Sequence, residues 1–561
     1  MNISKTKFTI IWQLVVILLL GGVVYSNALT GAFQFDDKIT IVENATIKSL
    51  SALWPPVDNR WLGLLTFALN YQIGGLDTFG YHLVNVLIHL LAALAVYTLV
   101  TLTQRTPYFT GIENKSPISA WLPFACALLF VSHPLQTQAV TYIVQRFASL
   151  AALFFLLSLI CYVSARLKGG WQFCWYGGAG ILAIAALATK ENTVVLPLVA
   201  LLYDLFFICG FSGAAAYWRQ RRRWLAGGAV LLLSITAMLH AKHDLLRVWD
   251  KLRATNDISR HDYLMTQFRV IVTYLRLLFV PTGQTLDHFI PVYSTLSAPT
   301  VAASLALIVL LVALACWLTV LTSRQTSLLR LVPFGIFWFF VTLSIESGVI
   351  PIIDVMFEHR LYLPGLGIML AVAASVLYGW DRCGYGKRFR STPLVILLVA
   401  IVTLFSYATW QRNKVWQNEI TLWSDVIAKK PDNPRGYNMV GSYYLTRVRP
   451  FEALPYFRKA LAVDPAYAEA RSNLGSALIQ SGQLDEGLNE LLITARTNRF
   501  DEVDMGILYY LIGKAFYAKG MFDKAVQSLD QSLYYAPKSL ATYSLRLEVA
   551  RQRDLIAGSG K

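Results

Sequence analysis

Charge is scarce in this sequence. Only 15% of its 561 residues are Asp, Glu, Lys or Arg, against 56% that are hydrophobic. Soluble domains carry about a quarter charged residues, so water is not the solvent for most of this chain. Cysteine is sparse too. The six, Cys126, Cys161, Cys174, Cys209, Cys316 and Cys383, lie in apolar runs or short basic loops with no CxxC, which leaves a disulfide framework and a zinc site unsupported. No P-loop and no GxGxxG points to a nucleotide.

What is present is a series of apolar runs long enough to cross a bilayer, about 18–22 residues in the longer cases. They fall near 9–26, 82–104, 119–133, 147–165, 172–189, 193–211, 224–240, 299–322, 328–345, 361–380 and 393–410. A further candidate, 264–280, carries Arg269 and Arg276 within its length. Such charges are costly in mid-membrane, so it reads as an interfacial or re-entrant helix. The first run, with Lys5 and Lys7 before it and Ser26-Asn27-Ala28 after it, has the look of a signal peptide. It reads instead as a retained first helix, because further spans follow and the chain needs an anchor.

Eleven spans with the N-terminus inside place RLKGG, YWRQRRRW, SRQTSLLR and DRCGYGKRFR on one side, as the positive-inside bias requires. The net charge of +16 largely belongs to this part. Residues 411–561 hold 20 Lys+Arg against 16 Asp+Glu, so about +12 lies in 1–410, and a nucleic-acid role is disfavoured. The division predicts a membrane domain over 1–410 and a helical domain over 411–561, outside and opposite the basic loops.

The second part repeats. Gly441, Gly475 and Gly513 recur at spacings of 34 and 38. With each glycine at position 8 of a 34-residue unit, Tyr444, Ala453, Phe457, Ala460 and Pro465 take the signature positions of a tetratricopeptide repeat, and Phe516, Ala525 and Pro537 do so in the third unit. The middle unit is degenerate, with Gly487 for alanine and Arg499 for proline. Repeats at about 434–467, 468–501 and 506–539 form an α-solenoid whose concave surface suits a peptide or protein.

The same topology gathers FDDKITIVE, HPLQTQAVTYIVQR, TKEN, the 241–298 loop and ESGVIPIIDVMFEHRLYLP on the outer face. Asp36 and Asp37 follow the first span; they cap a short helix, or one of them accepts a proton from a hydroxyl. Arg146 either snorkels to headgroups or grips a phosphate with its planar fork. Lys190 and Glu191 read equally as a local ion pair or a functional couple. Glu358, His359, Arg360 and Tyr362 cluster before the 361–380 span, and His133 precedes Arg146 by thirteen positions. His82, Asn85 and His89 share one face of their helix and read as interhelical packing. An acid with several cations at an outer membrane surface fits transfer of a sugar from a lipid-linked phosphate, the cations stabilising the departing phosphate. The acid–base logic is that of inverting glycosidases.

FQFDD, RWLGLLTFALNYQIGGLDTFGYHLVNVLIH, HPLQTQAVTYIVQR, ATKEN and HRLYLP together resemble the transmembrane-and-TPR-containing O-mannosyltransferases and their bacterial relatives, over essentially the whole chain. The resemblance implies an all-α, GT-C-type glycosyltransferase domain followed by repeats, with a catalytic acid in the first outer loop and a polyprenyl-phosphate-linked sugar as donor. It makes Asp36 the base, with Asp37 supporting or substituting. Arg146 and Arg360 become lipid-phosphate ligands, with Lys190, Glu191, His133 and His359 lining the site. Gln138 stands where eukaryotic members tend to carry an acid; an amide can bond a sugar or peptide but cannot act as base, which leaves mannose open as the donor sugar.

The expected partners are the donor lipid, a protein acceptor held by the repeats, and the bilayer of a bacterial inner membrane, with the repeats periplasmic. No cofactor is called for; no spacing compels a metal, and a divalent cation is left open. Two alternatives stand beside this reading: glycosylation of a lipid or cell-surface polysaccharide, and a non-enzymatic scaffold for envelope assembly. A transporter is disfavoured by the scarcity of ionisable groups deep in the spans.

Overall fold

The computed structural model describes residues 3–56, 58–110, 117–167, 170–210, 258–323, 327–348, 350–352, 354–383, 391–497 and 502–559. Among them the chain forms helices and no strand, the all-α fold expected. It divides into two compact units, Met1–Asn418 and Glu419–Lys561.

The principal helices of the first unit are α1 (Ile3–Tyr25), α2 (Trp61–Gly74), α3 (Thr78–Thr103), α4 (Leu122–Ser132), α5 (Arg146–Leu167), α6 (Gln172–Leu187), α7 (Leu196–Tyr203), α8 (Arg260–Phe279), α9 (Pro299–Ser323), α10 (Leu331–Leu343), α11 (Pro364–Arg382) and α12 (Thr392–Val415). Seven helical segments among the described residues are long and apolar enough to cross a membrane, and three shorter apolar ones cover 119–132, 172–187 and 328–343. By length and composition this is a multi-pass membrane unit. The expected span at 224–240 and the YWRQRRRW loop lie outside the described residues.

α3 is central, packing against α1, α4 and α5. Its predicted polar stripe is interhelical glue: His89 Nδ1 meets the Tyr362 hydroxyl at 2.8 Å, and Asn85 Nδ2 donates to the carbonyls of Val140 and Ile143. α10 and α11 touch at Gly335 and Gly367, where a Cβ on either would collide with the other's carbonyl oxygen; such close approach is how small residues bind helices in lipid. α8, the segment with two internal arginines, is amphipathic. Val270, Tyr274 and Leu277 are buried, whereas Arg269 and Arg276 are exposed.

In the second unit α13 (Glu419–Lys429) precedes three helix pairs: α14 (Pro434–Thr446) with α15 (Pro450–Val463), α16 (Ala468–Gln480) with α17 (Leu484–Thr497), and α18 (Glu502–Ala518) with α19 (Phe522–Tyr535). A last helix, α20 (Leu540–Ser559), closes the described part. The repeat glycines sit where the paired helices meet. A Cβ on Gly441 would lie 2.6 Å from the Phe457 ring, and one on Gly513 2.7 Å from Leu529. The departure at Gly487 has a physical reason: its Cβ would stand 2.8 Å from the Gly475 carbonyl oxygen, so the alanine of the regular pattern does not fit.

Candidate functional site

The short loop after α1 folds onto the segment before α5. Asp37 is fully buried in that joint. Its two carboxylate oxygens accept from the backbone N–H of Gln34 (2.8 Å) and of Val144 (2.7 Å), tying the two loops together. Burial pushes this carboxyl up to about 8, against the two N–H donors and Arg146, which favour its charged form. Asp36 is only half-buried, and its backbone N–H donates to the Tyr142 hydroxyl at 2.9 Å. Tyr142 is itself buried, stacked on Trp416 with ring centroids 5.1 Å apart. Burial first, then the neighbouring Asp37 and Asp36, hold its phenol well above the ordinary value. The adjacent acids are thus different objects: Asp37 is locked into the fold, whereas Asp36 is presented over a phenol.

Arg146 opens α5 completely buried. Its Nε donates to Asn85 Oδ1 (2.7 Å), Nη1 to the Thr66 carbonyl and hydroxyl (3.1 and 3.2 Å), and Nη2 to the Tyr81 carbonyl (2.9 Å). Phe67 lies beneath the guanidinium at 4.5 Å. This arginine joins α2, α3 and α5. His133 is consumed as well, with Nε2 donating to the Leu278 carbonyl (3.0 Å) and Nδ1 accepting from Leu135 N–H (3.2 Å).

The neighbours Lys190 and Glu191 find separate partners. Lys190 Nζ lies 2.6 Å from Glu346, each side chain 8% exposed. Asn192 Nδ2 donates to the other oxygen of Glu346 at 3.0 Å. Glu191 takes a two-pronged contact from Arg60, at 2.7 and 3.2 Å, in a more open position. The local-pair reading of Lys190 and Glu191 therefore gives way to two long-range pairs.

Glu358, His359 and Arg360 form one tight turn before α11. Glu358 accepts from Gln284, Thr285 N–H and His288. Arg360 donates to the carbonyls of Asp354 (2.7 Å) and Val355 (3.1 Å). His359 rests on Gln138, whose Oε1 accepts from the His359 backbone N–H at 2.7 Å and faces its Nδ1 at 3.2 Å. Burial, and then the charges of Lys190, Arg360 and Arg60, hold His359 well below the ordinary histidine value. The structure thus brings Lys190, His359, Gln138 and Arg360 together with Arg60 and Glu346, which sequence reasoning had not singled out. The signal for Glu346 was there: a cation such as Lys190, if buried, requires an anion, and the ESGV segment offers one. Among the described residues, no three of His, Cys, Asp or Glu converge as metal ligands.

Comparison with known proteins agrees with this architecture. The tetratricopeptide repeat pattern matches residues 449–506 and 507–539. The human protein O-mannosyl-transferase TMTC3 is 26% identical over 82% of this chain and 52% of its own length. Human TMTC1 is 26% identical over 81% and 55%. Human TMTC2 is 34% identical over 33% of this chain and 23% of its own. These matches agree with the family resemblance read from the motifs: the chain is similar to the TMTC proteins over most of its length, and it joins a membrane unit to tetratricopeptide repeats. It spans about half the length of the relatives it matches most broadly.

Proposed function

We propose that the first unit is a membrane glycosyltransferase that moves a sugar from a polyprenyl-phosphate donor to a Ser or Thr hydroxyl of a protein recruited by the repeats. It is an inverting GT-C-type enzyme of a bacterial inner membrane, with α8 lying at the interface and the repeats on the periplasmic side. The observation that carries this reading is the contrast between Asp36 and Asp37. A half-open carboxylate beside a buried phenol is suited to take a proton, and its neighbour holds the loop that presents it. Asp36 accepts the hydroxyl proton as the acceptor oxygen attacks the anomeric carbon. The bond from that carbon to the phosphate oxygen breaks, and the electron pair leaves with polyprenyl phosphate. Lys190, Arg60 and Arg360 stabilise the developing phosphate charge, while Arg146 holds α2, α3 and α5 in place behind them. The relatives' name, protein O-mannosyl-transferase, favours a protein acceptor; Gln138, in place of an acid, leaves the sugar to be determined.

The test is mass spectrometry of envelope proteins and glycolipids from wild-type, deletion and Asp36→Asn strains. A protein glycan absent from both mutants supports the reading. A glycolipid absent instead would move the acceptor to lipid. An envelope defect with every glycan intact would leave a scaffold in its place.

A further inference from the structure

The contact between Gln138 and His359 joins positions 221 apart and fixes the state of both side chains. The backbone N–H of His359 can only donate, so the Gln138 atom 2.7 Å from it is the carbonyl oxygen. That oxygen can only accept, so the His359 Nδ1 facing it at 3.2 Å carries the proton. The ring is therefore the Nδ1–H tautomer, and its Nε2 holds a lone pair that no hydrogen bond among the described residues uses. Phe357 stacks on the ring at 5.2 Å, setting its plane. The cations acting on it are Lys190 from the segment after α6, Arg60 from the start of α2, and Arg360 beside it; Lys190 is paired with Glu346 and Arg60 with Glu191. Glu358, the other neighbour, is turned away into its contacts with Gln284, Thr285 and His288.

A buried imidazole beside these cations makes a poor general base, because burial first and then the cations oppose its protonation, even with Lys190 and Arg60 paired to Glu346 and Glu191. It makes a sound acceptor for a neutral hydroxyl. A sugar phosphate offers that combination, an anion for the cations and a hydroxyl close by. Resting on the donor assignment above, we propose that His359 Nε2 accepts a hydroxyl of the donor's sugar, and that Gln138 is the positioning residue that holds the ring in the required tautomer.

The closing experiment measures binding of two probes to the purified full chain in detergent: undecaprenyl phosphate, and the same lipid carrying mannose. The wild type should bind the mannosyl lipid more tightly. His359→Ala should lose about 10-fold on the mannosyl lipid, the scale of one hydrogen bond, and nothing on the bare phosphate, which serves as its folding control. His359→Gln, which keeps an acceptor, should recover part of the loss. Gln138→Glu places an anion against Nδ1 and favours the doubly protonated ring, so its mannosyl-lipid affinity should fall as pH is lowered from 8 to 6 while the wild type stays flat. Nitrogen-15 spectra of histidine-labelled protein, with the His359 signal assigned by its loss in His359→Gln, should show a protonated Nδ1 and a bare Nε2 across that range. An Nε2–H ring, or equal losses on both lipids in His359→Ala and His359→Gln, would overturn the proposal. So would a wild type indifferent to the mannose. A wild type that binds neither lipid would instead overturn the donor reading itself.

Discussion

In the membrane unit one ion pair joins distant segments out of reach of water: Lys190 and Glu346 stand 156 positions apart with 8% of each side chain exposed. In the repeat unit a typical cross-helix pair lies on the surface, as between Arg458 and Glu486, 28 positions apart and about half exposed. The first arrangement is costly to form and more costly to break, since a lone buried charge has nothing to offset its desolvation. The second is screened and nearly neutral in energy. Buried apolar clusters and close helix contact at glycine hold the repeats, whereas the membrane unit adds to such contacts a lattice of buried polar groups, and its candidate chemistry resides in that lattice.

The largest effect expected from this comparison is on activity. Asp36→Asn should lower transfer at least about 100-fold, the usual scale for losing a general base, with thermal stability in detergent unchanged; transfer within a few-fold of wild type would remove Asp36 from that role. Next, Glu346→Ala should destabilise the membrane unit by about 3–5 kcal/mol by stranding Lys190, read as a lowered unfolding midpoint and restored in part by Lys190→Met in the same chain. Gly441→Ala should cost the repeats about 1–3 kcal/mol by forcing a methyl against Phe457, measurable by denaturant unfolding followed on the repeat unit.

A pH effect comes next. The native Asp37 carboxyl, raised to about 8, keeps its proton where an unfolded aspartate has lost it. Its contribution to stability is therefore fully present below about pH 4 and is lost as pH rises through about 8. The wild type should lose more thermal stability between pH 5 and pH 8.5 than Asp37→Asn, whose amide does not titrate; parallel curves would contradict the burial argument. The smallest effect is that of Arg458→Ala, which should shift stability by no more than about 1 kcal/mol. A larger shift would show that the exposed pairs carry more of the repeat unit than their accessibility allows.

The two units were also unequally legible in the sequence. The repeats announce themselves because their contacts are local: Gly441 meets Phe457 only sixteen positions on, and the same spacing returns in Gly475 with Leu491 and Gly513 with Leu529. Even the exception at Gly487 was visible, although its cause needed the facing Gly475 carbonyl. The motifs of the membrane unit were visible as well, but their pairings were not. Nothing near Lys190 says that it turns to Glu346 while Glu191 turns to Arg60, 131 positions back. Nor does the adjacency of Asp36 and Asp37 say which one is buried. That depends on Val144, which reaches Asp37 only once the loop before α5 is in place. Buried polar geometry is set by the tertiary fold, and local pattern is silent on it.

The facing glycines Gly475 and Gly487, like Gly335 and Gly367 in the membrane unit, have a genetic consequence. In each pair, backbone meets backbone, so the separation of the two helices is fixed by the main chain and no repacking of side chains can adjust it. Once one member is replaced and the helices are forced apart, replacing the other meets a gap already opened. The second change should then cost far less than it does alone, and the two positions should drift through mutation as a single unit.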